Sequence, residues 1–160
     1  MKACLIFMLL SFFNLPVPGW SATNLPAGAL GILSIDSMTQ GQMLWLKGRV
    51  GEASYQYRGP DNRQCTLNVP VAVGRIADAD VGVSTVPGLQ ILVLSAQLSQ
   101  ALLAGERIKS DDWHFSRAQG GDNVDGLILQ GIAPDEGFVL NSRRRWISWL
   151  RGDNRTPVCL

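Results

Sequence analysis

The residues able to do chemistry are few. The one histidine, His114, stands between Trp113 and Phe115 in a strand-like run. No cysteine or carboxylate around it keeps metal-ligand spacing, so it reads as a structural or hydrogen-bonding residue. Nucleophilic catalysis needs a base beside a serine or thiol, and His114 is the only obvious base. The paired carboxylates Asp78/Asp80, Asp111/Asp112 and Asp135/Glu136 all sit in turn-like contexts, where Asp and Glu cap chain ends or face water. The glycines of VGEASYQYRG, from Val50 to Gly59, have neither dinucleotide nor Walker spacing. The expectation is a protein that is not an enzyme and carries no cofactor, no metal and no catalytic residue.

Other motifs point elsewhere only weakly. Arg151 to Asp153 spell the integrin tripeptide RGD, but in loop residues that suit a turn with a solvated ion pair. Asn154 to Thr156 match a glycosylation acceptor, which matters only in a eukaryotic secretory route. Arg143 to Arg145 are a short basic run, read as a solvated edge. The tryptophans carry more information. Trp146 and Trp149 are three residues apart, so on a flat strand they face opposite sides. Both cannot enter one core, which makes them the candidate ligand-facing residues.

The N-terminus reads as an export signal. Met1 and Lys2 precede the apolar block Cys4 to Phe13, and NLPVPGWSA then ends in small residues. Residues 1–21 are the expected signal peptide. A cut after Ser21 places Gly19 and Ser21 at the two small positions, whereas a cut after Ala22, the alternative, places Trp20 at one of them. The block is too short for a stable membrane span. Loss of Lys2 leaves thirteen basic residues against thirteen acidic ones, and this neutral balance implies no nucleic-acid partner. Cys4 leaves with the signal, and Cys65 and Cys159 remain. In an oxidising compartment they are expected to form one disulfide. It would close a loop of 93 intervening residues, a constraint worth roughly 4 kcal/mol in the chain-entropy model.

Short strand-like runs must position these residues: Met43 to Val50, Ser54 to Tyr57, Cys65 to Val73, Leu89 to Leu94, Trp113 to Arg117, Val124 to Gln130, Gly137 to Leu140 and Arg145 to Arg151. Gly, Pro, Asn or Asp bound each, which reads as an all-β sandwich. One helix interrupts them over Ser95 to Glu106, with Leu98, Ala101 and Leu102 on one face, Ser95 as N-cap and Gly105 as stop. Pro70 cannot donate to a ladder, so it belongs at a strand start, an edge or a bulge. Asp78 and Asp80 are expected in a solvated loop. Residues 22–42 form an N-terminal arm or a first strand, and the alternation around Leu30, Ile32, Leu33 and Ile35 is too imperfect to choose a buried face. The main domain is residues 43–160.

The stretch NVPVAVGRIADADVGVSTVPGLQI, with Asn68, Pro70, Val71, Ala72, Val73, Gly74 and Arg75, then Pro87, Gln90 and Ile91, resembles fimbrial subunits of the kappa-class chaperone/usher family, which includes the K-eighty-eight fimbria. Trp45, Gly48 and Gly51 match that family's Trp-x-x-Gly-x-x-Gly opening. The chain is much shorter than the family's major subunit, which points to a minor subunit. The resemblance implies an incomplete immunoglobulin-like sandwich that lacks its final strand. Such a subunit is polymerised by donor-strand exchange, with a periplasmic chaperone, an outer-membrane usher and neighbouring subunits as partners. It is exported through the periplasm to the cell surface, where a tip position would contribute to cell adhesion and meet a host glycan or surface receptor. Leu30, Ile32, Leu33 and Ile35 are then the candidate donor strand, unless the segment is the first strand of its own sheet. A second reading is a self-contained secreted or periplasmic module, either a carbohydrate-binding adhesin domain or one that assists assembly. LLAGERIKSDDW, Leu102 to Trp113, resembles small domains that help flagellar rings assemble.

Overall fold

The computed structural model describes residues 25–118, 123–142 and 156–160, with backbone alone for 42–46 and 75–83. The expected signal peptide, the RGD tripeptide, Asn154 and Arg155 of the NRT tripeptide, the arginine run, and Trp146 and Trp149 lie outside the described residues. The fold is all-β with one α-helix. In chain order the elements are β1 (Gly31–Ser34), β2 (Ser37–Arg58), β3 (Gln64–Pro87), β4 (Gln90–Val93), α1 (Ala96–Ala104), β5 (Ile108–Lys109), a single 3-10 turn (Ser110–Asp112), β6 (Phe115–Ser116), β7 (Gly126–Gln130), β8 (Gly137–Leu140) and β9 (Val158–Cys159). They form one sheet in the order β5-β8-β3-β2-β1-β4-β7-β6, and β9 also pairs with β3.

The first four strands are one two-stranded ribbon. β1 and β4 pair with Ile32 opposite Leu92. The same register continues through Ser37 opposite Pro87 to Leu44 opposite Asp80. The links between are bonded as well, since Ile35 N–H donates to Leu89 O and Gly88 N–H to Asp36 O. The ladder then shifts at Leu44/Leu46, resumes with Leu46 opposite Ile76, and runs to Arg58 opposite Gln64. A turn over residues 59–63 closes the ribbon, with Asn62 at φ 61°.

This ribbon is folded back on itself. β1 pairs with the far end of β2, Ser34 opposite Ser54, although twenty residues of straight strand would separate them by about 66 Å. A bulge bends a strand and raises its twist, and the register shift places two extra β3 residues midway along the ribbon. Gly51 lets the layers close. A Cβ there would meet Met38 and Ile35 side-chain atoms at 3.3 to 3.5 Å.

Folding back buries β1 on both faces. Leu33 joins the main core with Tyr55, Val69, Val71, Ile91 and Val93, while Ile32 joins Leu92 and Leu127 in a second cluster across the sheet. This explains why the alternation around Leu30 to Ile35 chooses no face. β3 does alternate: Leu67, Val69, Val71 and Val73 are buried, and Asn68 between them is exposed.

α1 covers one end of the core with Leu98, Ala101 and Leu102. Ser95 Oγ accepts from Leu98 N–H at 3.1 Å, and Gly105 stops the helix at φ 74°, the left-handed conformation that glycine adopts without penalty. The Tyr55 hydroxyl lies 2.8 Å from Ser99 Oγ on the same helix, and its ring stacks on Tyr57.

Several local expectations change. The acidic stretch lies within β3 rather than in a loop: Asp80 pairs with Leu44 of β2, and Asp78 falls in the register shift between Ile76 and Asp80. The runs Met43–Val50 and Ser54–Tyr57 are one strand, and the boundary at 42/43 falls inside it. Pro70 lies within β3, beside the point where β8 ends: its carbonyl accepts from Ser142 N–H, just past the last ladder pair, Val71 opposite Leu140. Its missing donor therefore costs no rung.

Two predictions follow from this packing. A Cβ at Gly88 would overlap the Ile35 carbonyl, so Gly88→Ala should lower stability by about 3 kcal/mol in urea unfolding. Burial pushes the Tyr55 hydroxyl up to about 12 from its usual 10, against a smaller downward pull from Ser99. Above pH 10 the unfolded tyrosine ionises while the folded one keeps its proton. Stability should therefore be intact below pH 10 and fall by about 2 kcal/mol by pH 12, a loss that Tyr55→Phe should largely remove.

Candidate functional site

Where β2, β3 and β8 run side by side, three glycines stand in register. Gly48 is opposite Gly74, and Gly74 is opposite Gly137. They floor an open groove of about 380 Å³, lined also by Lys47 and Lys109 and by Ser110 and Asp111 of the 3-10 turn. A Cβ on any of the three would have no neighbour closer than 3.6 Å, so the glycines leave room above the sheet. The turn is fixed at the groove edge through Ser110 Oγ, which accepts from Phe138 N–H at 3.1 Å and donates to Asp111 Oδ1 at 3.1 Å.

Beside the groove a buried clamp holds β8 to β2. Arg49, next to Gly48, donates to Gly131 O at 2.8 Å and pairs with Glu136, next to Gly137. The Glu136 carboxylate also accepts from Ala133 N–H at 2.8 Å. Arg117 donates to Ile132 O and Ala133 O at 3.4 and 2.6 Å. Two guanidinium groups therefore gather the carbonyls of the β7–β8 loop. The Arg49 and Glu136 side chains are only 11% and 9% exposed, so each charge depends on the other.

Chemically, the groove offers two ammonium groups, one carboxylate and one hydroxyl around a mostly apolar lining in which Ala72, Val73, Phe138 and Val139 accompany the glycines. Among the described residues no group of three or more His, Cys, Asp or Glu could hold a metal. His114 is held by its backbone: its N–H donates to Asp125 Oδ2 at 3.1 Å and its carbonyl accepts from Asp125 N–H at 2.8 Å. Its ring is 85% exposed, with Nδ1 3.9 Å from the same carboxylate.

The sequence-derived residues are not brought together. Leu30 is exposed, while Ile32, Leu33 and Ile35 are buried in or next to β1. Cys65 and Cys159 form the disulfide at the far end of β3. Asp111 and Asp112 open the 3-10 turn. Glu136, read as a water-facing turn residue, is instead the acceptor of the clamp. The partnership of Arg49, Glu136 and Arg117 carried no local signal, because Arg49 and Glu136 are 87 residues apart. The glycine row did leave a trace, since Gly48 and Gly74 stand within the motifs quoted for the fimbrial resemblance.

The chain matches no family model, no curated protein and no solved structure.

Arg49→Ala would strand the Glu136 carboxylate in a buried site, and a loss of about 3 kcal/mol is expected. Thermal melts should show a clear drop in Tm for Arg49→Ala and a smaller one for Arg49→Lys.

Proposed function

We propose that this protein is a self-contained exported β-domain, non-enzymatic, that works as a binding or assembly-assisting module. The observation that carries the reading is the state of β1. It is an interior strand, bonded to β2 on one side and β4 on the other, so the segment that could be donated to a neighbour completes its own sheet. Among the described residues the sheet ends on β5 and β6, two residues each. Strands this short are poor templates for another chain, although among the described residues β8 and β9 cover the outer edge of the longer β3 at 71–74 and 65–66 alone. The groove supplies a binding surface. Its Lys109, Ser110 and Asp111 wall comes from LLAGERIKSDDW, the segment that resembles domains assisting flagellar ring assembly.

A second reading is a minor subunit of a chaperone/usher fimbria, built as an immunoglobulin-like sandwich without its final strand and engaging a periplasmic chaperone, an outer-membrane usher and a host glycan. The motifs from Trp45 to Gly51 and Asn68 to Ile91 favour it. It requires Leu30, Ile32, Leu33 and Ile35 to leave a strand bonded on both edges, at the cost of both ladders.

Periplasmic expression without any cognate chaperone separates the two. A soluble monomer with one cooperative melting transition is the expected result. Recovery only as aggregate, or only in complex with a co-expressed chaperone, would overturn the self-contained reading and favour the fimbrial one.

A further inference from the structure

The disulfide joins two strands of unequal standing. β3 is an interior strand, and Cys65 is 2% exposed. β9 is two residues long, its Cys159 is half-buried, and its neighbours Val158 and Leu160 are 64% and 92% exposed. Among the described residues the core takes no side chain from beyond Asn141 except through the bridge itself. Cys65 and Cys159 are directly opposite, with Cα atoms 4.0 Å apart, and the backbone bonds belong to the flanking pairs. Leu160 N–H donates to Gln64 O at 2.9 Å. This is the close, non-hydrogen-bonded type of antiparallel pair. Among the described residues two rungs and one covalent link therefore hold β9, and apolar packing adds little.

We propose that β9 is a redox-held cover over the outer edge of β3, released when the Cys65–Cys159 bridge is reduced while the rest of the domain stays folded. The reductant is a dithiol. Its thiolate attacks the more accessible Cys159 Sγ, the Sγ–Sγ bond breaks, and Cys65 leaves as a thiolate that takes up a proton. The second thiol of the reductant then displaces Cys159, which leaves as a thiol. The bridge gains two electrons and two protons, and the dithiol becomes its own disulfide. Without the bridge the two-residue ladder frays, because so short a pairing does not offset the entropy of ordering the tail. The backbone groups of Gln64 and Thr66 are then unpaired on that side, an open edge for strand addition.

Hydrogen exchange on the purified full chain, with and without dithiothreitol, tests this. In the reduced protein the ladder amides of Val158, Leu160 and Thr66 should exchange about tenfold faster or more, while those of β1 remain strongly protected. The Cys65→Ser/Cys159→Ser double variant should behave as the reduced protein does without reductant. Unchanged protection at β9 and Thr66 after complete reduction would overturn the proposal. So would loss of protection at β1 and β9 together, which would make the bridge a staple of the whole fold.

Discussion

Everything in this domain depends on one constraint, the return of a long antiparallel ribbon onto itself at the register shift opposite Leu44 and Leu46. Extended, the ribbon would present two polar edges and two half-apolar faces to water. Folded back, it pairs β1 with the end of β2, so backbone groups left over from one half find partners in the other. The same move brings Leu33 and Tyr55 into one core and puts Ile32 with Leu92 and Leu127 in another. Backbone pairing and apolar burial here are two results of one bend.

The groove follows from the same geometry. β8 can join β3 only because the ribbon leaves that edge free at Val71 to Gly74. The clamp of Arg49 and Glu136 then sets how β8 lies against β2. A glycine on each of three neighbouring strands leaves the sheet bare just beside that clamp. The 3-10 turn carrying Ser110 stands at the margin, tied to Phe138. The groove thus lies next to the buried Arg49–Glu136 pair.

The far end of β3 is built differently. Around Cys65 the outer edge carries only the two-residue β9, and a covalent bond supplies what packing does not. Gly59 stands so close that a Cβ would lie 2.9 Å from Cys65 Sγ, so the closing turn of the ribbon and the bridge share one space. Stability and accessibility are therefore distributed unevenly along a single strand.

Much of this was legible in the residues alone. The β content followed from short apolar runs bounded by turn formers. The helix followed from the spacing of Leu98, Ala101 and Leu102 with Ser95 and Gly105 at its ends, and the disulfide from Cys65 and Cys159, the two cysteines outside the expected signal peptide. These signals are local or compositional, so they survive without knowledge of the partner strand. The fold-back, the glycine row and the clamp do not. An alternating strand looks the same whichever neighbour it pairs with, and the buried acceptor Glu136 looks like any acidic turn residue until Arg49 arrives from 87 residues away. The acidic stretch was misleading for the same reason, since its turn-like composition yields at Asp80 to pairing with β2, while Asp78 falls in the register shift. Sequence by itself determined a chain that is mostly strand, with one helix and the bridge. Register and the bend decided which strands would meet, because those depend on contacts between residues that the chain holds far apart.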